Sequence, residues 1–124
     1  MMLLRAPRLV IAGLSGDSGK TLASLGIARA HVRRGLRVAP YKKGPDYIDA
    51  AWLGAAAGAP ARNLDTFIMP PEGIGHALAR AGADQLVLVE GNRGLYDGFD
   101  AEGTHSTAEL AKRIGAPVVL VVDV

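Results

Sequence analysis

Cysteine is absent from the 124 residues. That excludes a disulfide framework, a thiolate metal site and a cysteine nucleophile, and it fits the cytoplasm. No apolar run reaches the ~18–20 residues of a membrane span. The start, Met1 to Arg8, lacks the apolar core of a secretory signal, and the run from Leu9 reads as a strand instead. Charge of one sign is scarce as well. Fourteen basic and 12 acidic side chains leave a formal +2, which mildly favours anionic ligands. The pairs Arg33-Arg34 and Lys42-Lys43 are too short for a nucleic-acid surface. Neither a membrane nor a nucleic-acid partner is therefore expected. No two of His31, His76 and His105 have metal-ligand spacing. There is no internal repeat or linker, and an apolar content of 49% supports one folded domain with a real core.

What the sequence does have is a phosphate-cradle signature. Leu9-Val10-Ile11-Ala12 leads into Gly13-Leu14-Ser15-Gly16-Asp17-Ser18-Gly19-Lys20-Thr21. A buried strand that breaks into a glycine-rich turn ending Gly-Lys-Thr turns its N–H groups onto phosphate oxygens. The next helix adds its positive end, Lys20 a mobile cation, and Thr21 a hydroxyl for Mg²⁺. Gly16 to Thr21 are thus the candidate nucleotide-binding residues. The spacing departs from G-x-x-x-x-G-K-[ST], which needs glycine where Leu14 stands; Gly13 comes one residue early. Leu22, Leu25, Ala28 and Val32 suit one packed face of the following helix, and Gly35 follows its basic end. The rival is a glycine-rich turn with no ligand.

Strands are expected near 8–12, 36–41, 86–90 and 117–123, and helices near 19–34, 49–57, 72–82 and 106–115. Strands that alternate with helices and read as unbroken apolar runs mark an α/β fold, a mostly parallel sheet covered on both faces. The alanine-rich stretch from Asp49 to Ala61 reads as a packed helix or a mobile lid. In such sheets ligands bind beyond the carboxyl ends of the strands. The polar clusters fall there: the phosphate loop, Lys42 to Asp49, and Glu90 to Gly98.

Glu90, at the end of a buried strand, is placed to hold or order Mg²⁺ with Thr21; its rival is a strand-end carboxylate in water. Asp46 follows the rigid Gly44-Pro45 turn and is placed to reach the metal or its water, against a plain turn-capping role. Lys42 is placed against the transferred phosphate, against a solvated lysine. Asp49 and Asp97 could orient an acceptor or ammonia, with a turn role the strong rival for Asp97. Tyr47 could pack on a flat ligand or lie in the core. The histidines are weak signals, and Ser106 or Thr107 reads as a helix cap near His105.

The chain resembles the amino-terminal domain of the cobyrinic acid a,c-diamide synthase family. The resemblance rests on Ser18-Gly19-Lys20-Thr21, Lys43-Gly44-Pro45-Asp46-Tyr47-Ile48-Asp49, Arg62-Asn63-Leu64-Asp65, Glu90-Gly91 with Gly94-Leu95-Tyr96-Asp97-Gly98, and Ser106 to Lys112 leading to Gly115 through Asp123. The Gly-Pro-Asp-Tyr-Ile-Asp block is the most specific of these. The resemblance implies a dethiobiotin synthetase-like P-loop fold and an ATP- and Mg²⁺-dependent ligase that amidates peripheral carboxylates of a corrin through an acyl phosphate, with ammonia from glutamine. Lys20 and the loop amides would hold the β/γ-phosphates, and Thr21, Asp46 and Glu90 would hold Mg²⁺. Lys42 would steady the migrating phosphoryl group, and Asp49 and Asp97 would shape the acceptor side. A homodimer is compatible with this reading.

Members of the family are far longer and end in a glutaminase domain with a catalytic cysteine. Val124 follows a core strand, so the expectation is an amino-terminal part, with the adenine pocket and glutaminase downstream. Leu14 and Ser18 also depart from residues found in many relatives. Three rivals remain. One is a dethiobiotin synthetase-like carboxylate-activating ligase. Another is a non-catalytic nucleotide-binding fragment. The third is a partitioning ATPase, which would carry a lysine where this chain has Ser15.

Overall fold

The computed structural model describes residues 5–16 and 19–123. In chain order the elements are β1 (Arg8–Gly13), α1 (Lys20–Arg33), β2 (Arg37–Lys43), α2 (Tyr47–Ala57), β3 (Arg62–Leu64), α3 (Pro71–Ala79), β4 (Gln85–Gly94), α4 (Thr107–Ile114) and β5 (Val118–Val121). The strands form one sheet in the order β3-β2-β4-β1-β5, and every pairing is parallel. This is the α/β fold that the alternating apolar runs predict.

The two faces of the sheet follow from the period-two alternation of a strand. Val10, Tyr41, Val87 and Val89 pack with Ile74 and Leu78 of α3 and Leu110 of α4. The intervening Ile11, Val38 and Leu88 pack with Ala28 of α1 and Leu53 and Ala57 of α2. Unbroken apolar strands are thus explained by helices on both sides. The Asp49–Ala61 stretch is a packed helix as far as Ala57, where Gly58 ends it: Leu53 is fully buried, a burial that stabilises by about 1.5–3 kcal/mol. Tyr41 is buried too, and its hydroxyl donates to the Ala77 carbonyl at 2.7 Å, tying β2 to α3.

Several expectations need correction. β3 has no apolar run and is not foreseen; it pairs along Tyr41–Lys43 of β2. Lys42 and Lys43 lie inside β2, and β4 continues past Glu90 through Gly94, rather than giving way to loops at 41 and 90. Charged residues persist in these central strands because Lys42 and Glu90 are register partners and neutralise each other across the ladder. Leu22 is 78% exposed and off the packed face of α1, whose buried residues are Lys20, Ser24 and Ala28 at i, i+4 spacing. Tyr47 is 77% exposed and is not a core residue. At the sheet edge, β5 leaves Val118, Val119 and Leu120 partly exposed. Among the described residues no helix is long and apolar enough to cross a membrane.

Candidate functional site

β1 delivers the chain to the phosphate loop. Its end is fixed on both sides: Leu14 N–H donates to the Val121 carbonyl at 3.1 Å, and the Gly13 carbonyl accepts from Leu95 N–H at 2.7 Å. Gly19 turns into α1 with φ +89°, a left-handed conformation that glycine takes without strain. Among the described residues no side chain caps this helix start, and its first turn holds no acidic residue. The other two site-flanking helices differ. Asp46 caps α2 and Ser106 caps α4 through side-chain oxygens. The amides at the start of α1 are therefore left for an external acceptor, at the positive end of the helix dipole. Lys20 is 9% exposed and makes no ion pair with any described residue. A nearly buried, unpaired ammonium calls for an anion. Asp17 and Ser18, two of the expected phosphate ligands, lie outside the described residues.

A cavity of about 480 Å³ opens here. Gly16, Gly19, Lys20 and Thr21 form one wall, with Lys42, Asp49, Asn92 and Arg93 around the rest. Three cations against one carboxylate make it an anion site. Beneath it lies an ion triad. Lys42 Nζ donates to the Gly91 carbonyl at 2.8 Å and lies 3.4 Å from Asp49 Oδ2 and 3.5 Å from Glu90 Oε2. Glu90 is 1% exposed, and its Oε1 has no hydrogen-bond donor among the described residues. Two carboxylates on one ammonium, with an orphaned oxygen, leave unmet demand for positive charge or a donor. Lys43, the next residue, faces the opposite side of the sheet. Burial pulls its ammonium pKa below the ordinary lysine value, only partly countered by Asp65.

The expected site residues do not all converge. Gly16, Gly19, Lys20, Thr21, Lys42 and Asp49 share the cavity, and Glu90 backs it through Lys42. Asp46 and Asp97 are not on its walls. Asp46 Oδ1 accepts from Ile48 N–H at 2.9 Å and Asp49 N–H at 3.1 Å. Asp97 is exposed and accepts from Gly94 N–H at 2.9 Å, closing a turn. Asn63 is a support not foreseen: its amide donates to the Gly44 and Asp46 carbonyls at 2.8 and 2.9 Å, holding the Gly44-Pro45-Asp46 turn. His105 is not at the site. Its Nδ1 lies 2.8 Å from Thr66 Oγ1, beside the rings of Phe67 and Phe99.

The hydrogen bond from Asp49 N–H, reinforced by that from Ile48, holds the Asp46 carboxyl below its ordinary pKa. Its cap is complete above the ordinary carboxylate range and is lost as pH falls through that lowered value. Asp46→Ala is expected to cost about 1 kcal/mol, whereas Asp46→Asn keeps the cap and removes the charge. Thermal melts of both variants between neutral and acidic pH check this; equal losses in the two would remove the capping role.

The doubly covered parallel sheet, the uncapped helix behind a glycine-rich loop and the cationic cavity define a nucleotide-binding α/β domain of the P-loop class. The chain belongs to the CobQ/CobB/MinD/ParA nucleotide binding domain family (CbiA), which it matches over residues 9–115. It is 51% identical over 120 residues to a protein named cobyrinate a,c-diamide synthase from Magnetococcus marinus, covering 96% of this chain and 26% of that protein. Over 119 residues it is 50% identical to hydrogenobyrinate a,c-diamide synthase of Streptomyces coelicolor, covering 94% and 24%. Over 124 residues it is 40% identical to the cobyrinate enzyme of Salmonella typhimurium, covering 98% and 27%. The resemblance read from the sequence blocks is thus shown, and the chain spans about a quarter of the length of these relatives.

Proposed function

We propose that this chain provides the ATP-binding, carboxylate-activating part of a cobyrinate-type a,c-diamide synthase. The observation that carries the reading is one cavity that joins a helix start and a Lys20, neither of which has a side-chain partner among the described residues, to the Lys42–Asp49–Glu90 triad. The names of the relatives supply the substrate class, a corrin polycarboxylate.

In this reading the loop amides and Lys20 bind the β/γ-phosphates of ATP. A peripheral carboxylate oxygen of the corrin attacks the γ-phosphorus, the bond to the bridging oxygen breaks, and ADP leaves. Phosphoryl transfer needs positioning and charge neutralisation more than covalent help from the protein. Lys42 lies on the cavity wall, held by two carboxylates and the Gly91 carbonyl, and steadies the phosphoryl group as it crosses. Asp49, on the cavity wall, serves the acceptor side, whereas Asp97 closes the Gly94 turn away from it. Ammonia, drawn from glutamine by a further unit, then attacks the acyl carbon, and phosphate departs with the former carboxylate oxygen.

The residues present fit Mg²⁺. Among the described residues no three His, Cys, Asp or Glu gather as a ligand set. Mg²⁺ at phosphate sites needs no such cage, because it retains waters and takes phosphate oxygens with one or two protein ligands. The Thr21 hydroxyl and Glu90, with its orphaned Oε1, would hold it or its waters, while Asp46, off the cavity wall and capping α2, would act only through outer waters. When bound it neutralises the phosphate charge.

The test is ADP formation with and without a corrin polycarboxylate and ammonia. Acceptor-dependent ADP release in step with amide formation supports the reading. Nucleotide binding without acceptor-dependent turnover would reduce the chain to a binding module.

A further inference from the structure

The cavity wall facing the phosphate loop is built in an unusual way. β1 and β4 pair as Ile11–Glu90 and then as Gly13–Gly94, so Ala12 alone in β1 stands opposite Gly91, Asn92 and Arg93 in β4. The excess forms a bulge, a device that re-aims side chains beside a site. Arg93 takes φ +54° there, a left-handed conformation that costs a residue with a side chain. The bulge is clamped. Thr107, 1% exposed, accepts from Asn92 N–H at 3.1 Å and donates to the Asn92 carbonyl at 3.3 Å. A Cβ on Gly91 would come within 2.6 Å of Thr107 Cγ2, so α4 closes directly on the bulge.

The clamp presents two side chains to the cavity. Among the described residues, the Asn92 carboxamide and the exposed Arg93 guanidinium have no hydrogen-bond or ion-pair partner. The phosphate wall already has its own cation in Lys20, and Lys42 is bound to Asp49 and Glu90. A strained, unpaired arginine on the remaining wall therefore has no internal charge to balance. A guanidinium presents a planar fork matched to a carboxylate.

We propose that Arg93, seated by the Thr107-clamped bulge and assisted by Asn92, anchors a carboxylate of the acceptor and is a specificity-determining residue of this site. The inference rests on the carboxylate-activating reading above. Its substrate class is a compound with several carboxylates, one held by Arg93 while a neighbour faces the phosphoryl group.

The experiment compares Arg93→Gly, Arg93→Lys and Lys20→Ala in the full-length enzyme. Glycine adopts the Arg93 backbone conformation without strain, so Arg93→Gly should melt no lower than the wild type. Its KM for the corrin polycarboxylate should rise roughly ten- to a hundredfold, the loss expected for a charge-assisted pair. ATP affinity, measured by direct titration, should stay within about twofold. Arg93→Lys, which keeps the charge without the fork, should fall between. An unchanged acceptor KM in Arg93→Gly overturns the proposal. So does weakened ATP binding with acceptor KM unchanged, which would make Arg93 a phosphate ligand. Failure of the underlying reading is separately visible: undiminished ATP turnover in Lys20→Ala would remove that reading and this inference with it.

Discussion

Lys20→Ala is expected to lower ATP-dependent turnover by about 10²–10³-fold, the typical cost of deleting a preorganised group that stabilises transition-state charge. The same change should leave the fold intact or slightly firmer. Lys20 is nearly buried at the first position of α1 and has no counter-ion among the described residues, so the protein alone bears the cost of its desolvation. Alanine is also the best helix former. Loss of activity with stability kept or raised separates a functional lysine from a structural one, and Thr21→Ala is expected to show the same division. Steady-state kinetics and a thermal melt on one preparation decide it. Turnover near wild type would remove the phosphate-loop assignment.

Lys42→Met should have the opposite signature, a large loss of stability. Removing the ammonium strands Asp49 and the buried Glu90 as facing carboxylates and unpairs the Gly91 carbonyl. Breaking a buried ion pair by deleting one partner costs about 3–5 kcal/mol. Adding Glu90→Gln to Lys42→Met should recover part of that loss, because the second change removes the uncompensated charge. Denaturant titration of the two single variants and the double measures the coupling. Strictly additive losses would mean that the triad is not an energetic unit. Activity should fall in all three, so stability is the informative readout.

The contrast between these two lysines shows what the sequence made legible. Gly19-Lys20-Thr21 is local: the strand, turn and helix that give it meaning are its own neighbours. Leu9 to Ala12 and Leu86 to Val89 announce buried parallel strands by their apolar runs, and the structure places them side by side. Lys42 looks like a loop residue because it is charged, and Glu90 looks like the last residue of its strand, at the edge of solvent. Their place inside β2 and β4 depends on a register between distant segments. β3 escaped for a related reason: Arg62-Asn63-Leu64 has one apolar residue and is a strand only because β2 offers it an edge. The bulge that presents Asn92 and Arg93 is a mismatch in length between two strands, which neither strand shows alone. Leu22 misled because the packed side of α1 is set by Ser24 and Ala28 against the sheet rather than by the larger leucine.

The central claim is that this cavity activates a carboxylate by phosphoryl transfer. The most direct measurement labels the carboxylates of a corrin polycarboxylate with ¹⁸O and follows the label through the proposed amidation. Attack of a carboxylate oxygen on the γ-phosphorus, followed by displacement with ammonia, carries that oxygen into the released phosphate. The account predicts one ¹⁸O in the inorganic phosphate for each amide formed, with ADP as the other product. Unlabelled phosphate, or AMP and pyrophosphate in place of ADP, would contradict it.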